Sequence, residues 1–301
     1  MQVPAPFDYE RAESVEQALE LLEQLGPDAR LLAGGHSLLP MMKLRLAAPA
    51  YVIDIDPLAT ELGYIHEDGD TVRIGAMTRH RALLESPLLH ARLPIFTDAE
   101  RRIADPVVRN RGTIGGALCQ ADPSEDLSAV CAAVGAQLHI RGLDGERVVD
   151  MATFHRGPYR TDVGPAEMLV EIRVPLAPRS GSAYEKVDRR VGDWAVAAAG
   201  AALTLNADGT VQRAGVALAA AGNEITMPQS ERALVGHEPT AAHIQAAARA
   251  AAEHCRPVSD QRGSAEYKRH VVGVLVERAL RRAAARARGQ EAQPGGEACR
   301  S

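Results

Sequence analysis

The chain has 301 residues, 46% hydrophobic and 24% charged, enough for two or three domains with buried cores. Its net charge of −5 lacks the basic excess of a nucleic-acid surface, so nucleic acid is not expected as a partner. No run of about 18 uncharged apolar residues occurs, and residues 1–6 lack the basic and apolar regions of a signal peptide, which predicts a cytoplasmic protein.

Ser14 and Gln17 have the spacing of a capping box, and Val15, Ala18, Leu19, Leu22 and Leu25 recur at helical intervals until Gly26 and Pro27 end the segment. An apolar strand at Leu31, Leu32 and Ala33 meets Gly34 and Gly35. A helix is expected after Ser37 and a further strand over 51–55, so that strands and helices alternate in a first subdomain, residues 1–56. The alternation of Val72, Ile74 and Ala76 predicts a strand over 71–76, with Thr78 capping a helix that holds Leu83 and Leu84. Another helix is expected over 94–104. Asp105 precedes Pro106 and is pushed out of the helical region, which predicts loop or extended chain over 105–116.

Leu127, Val130, Cys131 and Val134 form one face of a short helix ended by Gly135, and strands over 136–140 and 169–174 close a second subdomain, residues 57–176. After a linker at 175–182, antiparallel strands are expected over 183–188, in the alanine-rich stretch after Trp194, and over 211–219, with Asn206-Ala207-Asp208-Gly209 as the hairpin turn. Alanine-rich helices near 240–254 and 264–288 complete a third unit, residues 177–288, and residues 289–301 read as a frayed or disordered tail. The four cysteines (Cys119, Cys131, Cys255, Cys299) are too irregularly spaced for a zinc or iron–sulfur ligand set and read as buried or spectator thiols.

A Gly34-Gly35 turn between strand and helix suits an anion: glycine lets a ligand approach the backbone, and the N–H groups of a helix start point at it. Most such turns are merely tight connections, but a second copy at Thr113-Ile114-Gly115-Gly116 suggests a clamp for a diphosphate. Arg109 and Arg111 either neutralise phosphate or are solvated. Asp122, Glu125 and Asp126 cap the helix that follows, accept hydrogen bonds from ligand hydroxyls, or do both. His36 could touch phosphate or attach a flavin covalently, although a histidine needs no chemistry to sit in a loop. No Gly-x-Gly-x-x-Gly fingerprint in a βαβ context, Walker lysine, Gly-x-Ser-x-Gly elbow or His-Glu-x-x-His pair is present, which disfavours nicotinamide, P-loop and hydrolase chemistry. Two glycine turns and an acidic loop suit a dinucleotide such as FAD, whose redox chemistry would be the cofactor's own.

A more specific signal lies in whole motifs. Ala33-Gly34-Gly35-His36-Ser37-Leu38-Leu39-Pro40-Met41-Met42-Lys43, Thr113-Ile114-Gly115-Gly116, Asp122-Pro123 to Asp126-Leu127, Ala183-Tyr184-Glu185-Lys186, Arg190-Val191-Gly192-Asp193-Trp194-Ala195 and Gly263-Ser264-Ala265-Glu266-Tyr267-Lys268-Arg269 follow one another in order. Together they resemble the FAD-binding medium subunits of aerobic, molybdenum-containing carbon monoxide dehydrogenases, within the wider family of xanthine dehydrogenase-type molybdenum hydroxylases. The resemblance implies an α+β fold: a PCMH-type FAD-binding domain of two α/β subdomains, followed by a C-terminal domain with a small antiparallel sheet and helices. It implies that Leu32, Ala33, Gly34, Gly35, His36, Ser37 and Leu38, with Ala104 and with Thr113, Ile114, Gly115, Gly116 and Ala117, contact FAD, the two glycine segments holding its pyrophosphate. Asp126, with Asp122, would bind the ribityl side, and Leu169, Lys186 and Trp194 would lie by the flavin. Two positions depart from the family pattern: Trp194 stands where the carbon monoxide dehydrogenase subunits carry tyrosine, and Ala117 where related chains often have asparagine. Trp194 could pack on the ring or belong to the core.

The resemblance further implies an electron-transfer subunit with no catalytic acid or base of its own. A large subunit would hold the molybdenum cofactor and a small one two [2Fe–2S] clusters, in a dimer of heterotrimers with a quinone as acceptor, and association with the inner membrane face is left open. Flavin subunits acting on purines or N-heterocycles share these motifs. A solitary FAD oxidase or a non-catalytic FAD-binding module is the alternative from another class.

Overall fold

The computed structural model describes residues 3–290, so the tail expected over 289–301 lies, from 291 onward, outside the described residues. The first unit is a three-stranded parallel sheet, order β1-β3-β2, built from β1 (Asp8–Arg11), α1 (Val15–Leu25), β2 (Ala29–Leu32), α2 (Leu38–Lys43) and β3 (Tyr51–Asp54), with α3 (Ala59–Leu62) leading out of it. Ser14 caps α1 by accepting the Gln17 N–H at 3.1 Å. The return bond of the expected box is displaced by one residue: Gln17 Oε1 accepts from Glu13 N rather than from the cap itself. Val15, Ala18, Leu19 and Leu22 pack with Ile53, Leu58 and Met77 in one cluster.

The second unit is a five-stranded antiparallel sheet, order β4-β5-β10-β6-β7, with β4 (Ile65–Asp68), β5 (Thr71–Gly75), β6 (Gln137–Gly142), β7 (Gly145–Asp150) and β10 (Met168–Pro175). Between β5 and β6 run α4 (His80–Glu85), α5 (Pro87–Arg92), α6 (Pro94–Glu100), α7 (Pro106–Arg111), α8 (Ile114–Gln120) and α9 (Asp126–Val134); α10 (Met151–Phe154) and the small hairpin β8 (His155–Gly157) and β9 (Arg160–Thr161) precede β10.

Three expectations are corrected here. Thr78 does not cap a helix: its hydroxyl donates to Tyr64 O, and α4 starts from Arg79. The helix expected over 94–104 stops at Glu100. Residues 105–116 are not loop but two helical segments. The restriction before proline holds for Asp105 alone, which is extended and caps α7 with Oδ1 on Val108 N, while Pro106 occupies the first helical position where proline is favourable.

The third unit is the antiparallel sheet β11 (Ser180–Val187), β12 (Ala197–Leu205) and β13 (Val211–Ala219), followed by α11 (Pro228–Arg232), α12 (Ala241–His254) and α13 (Ala265–Ala287). All nine residues of β12 are buried, and its two faces enter different cores: Ala197, Ala199, Ala201 and Leu203 pack against α12 and α13, while Ala198 and Ala202 pack with α9. Small residues are required because helices ride close on both faces. A Cβ on Gly200 would come 3.1 Å from Ala129 O, and one on Gly215 would collide with Ala133 O. Among the described residues no helix is long and apolar enough to cross a membrane.

The C-terminal helix is tied back to the second unit by Asp98 on α6, whose carboxylate accepts from Arg282 Nη2 at 2.8 Å and Arg286 Nη1 at 2.7 Å. Replacing Asp98 by Ala leaves two largely buried guanidinium groups without their shared anion. It should cost about 3 kcal/mol in urea unfolding, in the range for breaking a buried ion pair; a change near zero would show that solvent already screens the cluster.

Candidate functional site

A cavity of about 790 Å³ opens where the three sheets' loops converge. Its wall begins with residues 30–38, the turn between β2 and α2. Gly34 has no room for a Cβ, since its Cα packs on the Arg111–Gly112 backbone, and Gly35 turns the chain at φ +80°. Leu39 N donates to Gly35 O and Met41 N to Ser37 O. Among the described residues, however, no protein acceptor meets the backbone N–H of Gly34, Gly35, His36, Ser37 or Leu38. Five adjacent donors on a cavity wall are a site for an anion. Because α2 has only six residues, the loop itself rather than a helix dipole supplies the attraction.

The second glycine segment differs from the expectation of a matching turn. Thr113 is the N-cap of α8, and Gly115 and Gly116 lie inside its first turn. The donors of this helix start are already engaged by the protein: Ile114 N with Thr78 O, Gly115 N with Ala76 O and Gly116 N with Thr113 Oγ1, at 3.0, 2.9 and 3.1 Å. Gly115 is small because Ala76 lies against it, a Cβ there meeting Ala76 O at 2.7 Å. Gly116 and Ala117 do face the cavity, opposite Ala33. The clamp is therefore one-sided, with donors on the first loop and a close, smooth wall on the second.

Of the residues singled out in the sequence, Leu32, Ala33, Gly34, Gly35, His36, Ser37, Leu38, Ala104, Thr113, Gly115, Gly116, Ala117, Asp126, Leu169, Lys186 and Trp194 line this cavity. Ile114 does not; it is fully buried in the core of the second unit. Asp122 does not either: its carboxylate accepts from Ser124 N and the Tyr159 hydroxyl, each at 2.9 Å, beside a separate small pocket. Arg109 and Arg111 point elsewhere, Arg109 onto the carbonyls of Ile103 and Ala104 and Arg111 onto Asp56. Trp194 is 42% exposed and not a core residue. It sits at the cavity edge in the segment 190–194, which Gly192 seats against the Ala104 backbone, itself at φ +49°.

The floor is polar and buried. Asp126, in the first turn of α9, accepts from Tyr184 Oη at 2.7 Å and from Lys186 Nζ at 2.8 Å, and Lys186 also donates to Arg102 O. Burial raises the Asp126 carboxyl above its ordinary range, against the opposing pull of Lys186. Glu125 is the N-cap of α9, accepting from Leu127 N, Ser128 N and Ser128 Oγ. Burial outweighs these bonds and pushes it up to about 7. Glu125, one of the three acidic candidates, lines the cavity; Met77, Ile103 and Met168 as lining residues, and the roles of His80 and Tyr184, were not read from the sequence. For Tyr184 a signal existed: it lies two residues before Lys186 on a strand and so shares its face.

Between the ordinary glutamate value and about 7 the folded chain binds more protons at Glu125 than the unfolded chain does, so this group's contribution to stability falls as pH rises through that window. Measured by urea unfolding against Glu125→Gln, which does not titrate, the wild type should lose about 3 kcal/mol of relative stability between pH 4.5 and pH 7. A difference that stays flat with pH would place the Glu125 titration elsewhere.

The comparisons with known proteins converge on one family. A model of the FAD binding domain in molybdopterin dehydrogenase matches residues 5–177, and one of the CO dehydrogenase flavoprotein C-terminal domain matches residues 182–283. The carbon monoxide dehydrogenase medium chain of Hydrogenophaga pseudoflava is 46% identical over 94% of this chain and 99% of its own length. That of Afipia carboxidovorans is 41% identical over 95% and 99%. The solved Hydrogenophaga pseudoflava enzyme that lacks the Mo-pyranopterin moiety superposes with a TM-score of 0.90 at 46% identity, covering 94% of this chain and 99% of the matched one. With both domain families matched in order, the chain belongs to the FAD-binding medium subunits of carbon monoxide dehydrogenase and related molybdenum hydroxylases, and is an oxidoreductase subunit.

Proposed function

We propose that this chain holds FAD in the 790 Å³ cavity and passes electrons through it as the medium subunit of a carbon monoxide dehydrogenase-type heterotrimer. The observation that carries the reading is the row of five unengaged N–H groups at residues 34–38, facing a wall that has no side chain at Gly116. Those donors would take the pyrophosphate, and the close approach of α8 would fix its position. The remaining lone pairs of Asp126 would accept from ribityl hydroxyls while Lys186 and Tyr184 keep the carboxylate oriented. Leu169, Lys186 and Trp194 would border the isoalloxazine, Trp194 restricting water at the open side.

Bound FAD supplies the one- and two-electron chemistry; the protein supplies position and electrostatics. In the proposed complex a large molybdenum subunit oxidises carbon monoxide to carbon dioxide, a small subunit relays electrons through two [2Fe–2S] clusters, and a quinone takes them from this subunit. The assembly is a cytoplasmic dimer of heterotrimers. Residues 1–56 and 57–176 are read as the two FAD-binding subdomains and 177–288 as the C-terminal domain.

The complex purified with its partners should show a flavin spectrum that acid releases, and should oxidise carbon monoxide rather than purines or N-heterocycles. A complex without flavin would end the proposal, and turnover by this chain alone would favour a solitary oxidase. At residue level, Ala33→Leu fills the gap between the glycine loop and Gly116, where the two walls' β-carbon positions are 3.9 Å apart. FAD occupancy should fall at least about tenfold with the unfolding midpoint unchanged, a loss of the size expected when a ligand's phosphate cannot seat; normal flavin content would displace the pyrophosphate from this loop.

A further inference from the structure

Behind the glycine loop lies a buried acid–imidazole pair for which the FAD reading has no use. His80 opens α4 and Glu100 closes α6, with Nδ1 of the ring 2.9 and 3.2 Å from the two carboxylate oxygens. The His80 side chain is 8% exposed and that of Glu100 fully buried. With Nδ1 donating to Glu100, the opposite nitrogen, Nε2, has no protein partner among the described residues, and the ring lines the cavity. Nε2 is not a sealed, unsatisfied atom: the ring is open to the cavity, so a ligand atom can meet it there.

The ring's place in the wall narrows what that atom is. His80 N donates to Gly112 O at 3.1 Å, and a Cβ on Gly112 would come 2.8 Å from the ring. Gly112 in turn abuts Gly34. The imidazole thus stands one backbone layer from the five free N–H groups, on the same cavity, and α4 is fixed there by Arg79, which donates to Arg111 O and pairs with Asp56.

We propose that His80 is a further binding residue of the cavity, an imidazole anchored by Glu100 that donates Nε2–H to an anionic phosphate oxygen of the ligand held by residues 34–38. The inference rests on the FAD reading of that cavity. While Glu100 is ionised and accepts from Nδ1, Nε2 carries a proton only in the imidazolium form. Burial opposes that charge, but Glu100 on α6 outweighs it, helped by Glu125 and Asp126 on α9, and the ring titrates above its ordinary value. Burial raises the Glu100 carboxyl as well, against the opposing pull of His80. The other charged groups nearby are engaged: Arg109 of α7 holds backbone carbonyls, Arg111 pairs with Asp56, Lys186 with Asp126, and Arg81 with Glu85 on the outer side of α4.

The test is FAD titration into the full chain, read by flavin fluorescence from pH 5.5 to 8.5, with circular dichroism as the check on folding. His80→Gln should bind FAD about tenfold more weakly at pH 7, the loss of one charge-assisted hydrogen bond. Glu100→Gln keeps the ring but removes the carboxylate that sustains its charge, so it should be as weak as His80→Gln at pH 7.5 and regain affinity as the pH falls to 5.5. A ring that only fills space cannot give that recovery. His80→Gln within about twofold of wild type, or a Glu100→Gln loss equal at both pH values, overturns the role of His80. Should His80→Gln fail to fold, the pH dependence of Glu100→Gln decides alone. A wild-type chain that binds no FAD, with or without its partner subunits, overturns the underlying reading instead.

Discussion

The buried contact between Lys186 and Asp126 is the constraint on which the site's geometry depends. Their side chains are 1% and 6% exposed, so neither charge is solvated and each is tolerated only because the other is there. The pair spans two units: Lys186 comes from β11 of the third sheet and Asp126 from the first turn of α9 in the second. It can form only if α9 lies close on the third sheet. The glycines at 200 and 215 permit that approach, because a Cβ at either would press on the backbone of α9. Tyr184, on the same face of β11, takes the second carboxylate oxygen and fixes the rotation of the group. Small residues in one unit thus set the position of a charge in another.

The two glycine segments do different work, although in sequence they look alike. Around Gly115 the missing side chain lets one part of the protein touch another, and the helix start spends its donors on the carbonyls of Ala76 and Thr78. Around Gly35, at positive φ, successive N–H groups of the described chain meet no protein acceptor. A rigid, satisfied wall opposite an unsatisfied loop gives a narrow slot with its attraction on one side. That arrangement orients a ligand better than two equivalent nests, which would offer it two registers.

Much of this was legible in the residues. The cap at Ser14, the αL end at Gly135 and the hairpin at Asn206 to Gly209 are local chemistry, and each appears where local chemistry puts it. The cavity lining was largely legible too, since it is carried by contiguous motifs. What escaped was set by distant partners. The strand β1 is exposed along all four residues and has no apolar pattern to announce it; only its parallel pairing with β3 makes it a strand. The helices at 106–111 and 114–120 were hidden because a rule about one residue, Asp105, was extended to twelve. Asp122 and Asp126 are four residues apart in one acidic run. The turn before α9 sends Asp122 towards Tyr159 and Asp126 towards Lys186, a divergence no spacing rule in the run specifies.

Three carboxyl groups under a loop proposed to hold phosphate need compensation, since in a low-dielectric interior like charges repel strongly. Each is compensated differently. Asp126 is matched by Lys186, and Glu100 by the His80 ring, whose titration it raises while burial raises its own. Glu125 has no cationic partner; burial lifts its titration to about 7, so at pH 7 it is about half protonated. The floor therefore presents hydrogen-bonding oxygens without a matching negative field. This is what a ligand with both phosphates and hydroxyls requires: acceptors for the hydroxyls close to donors for the phosphates, with neither group disturbing the other.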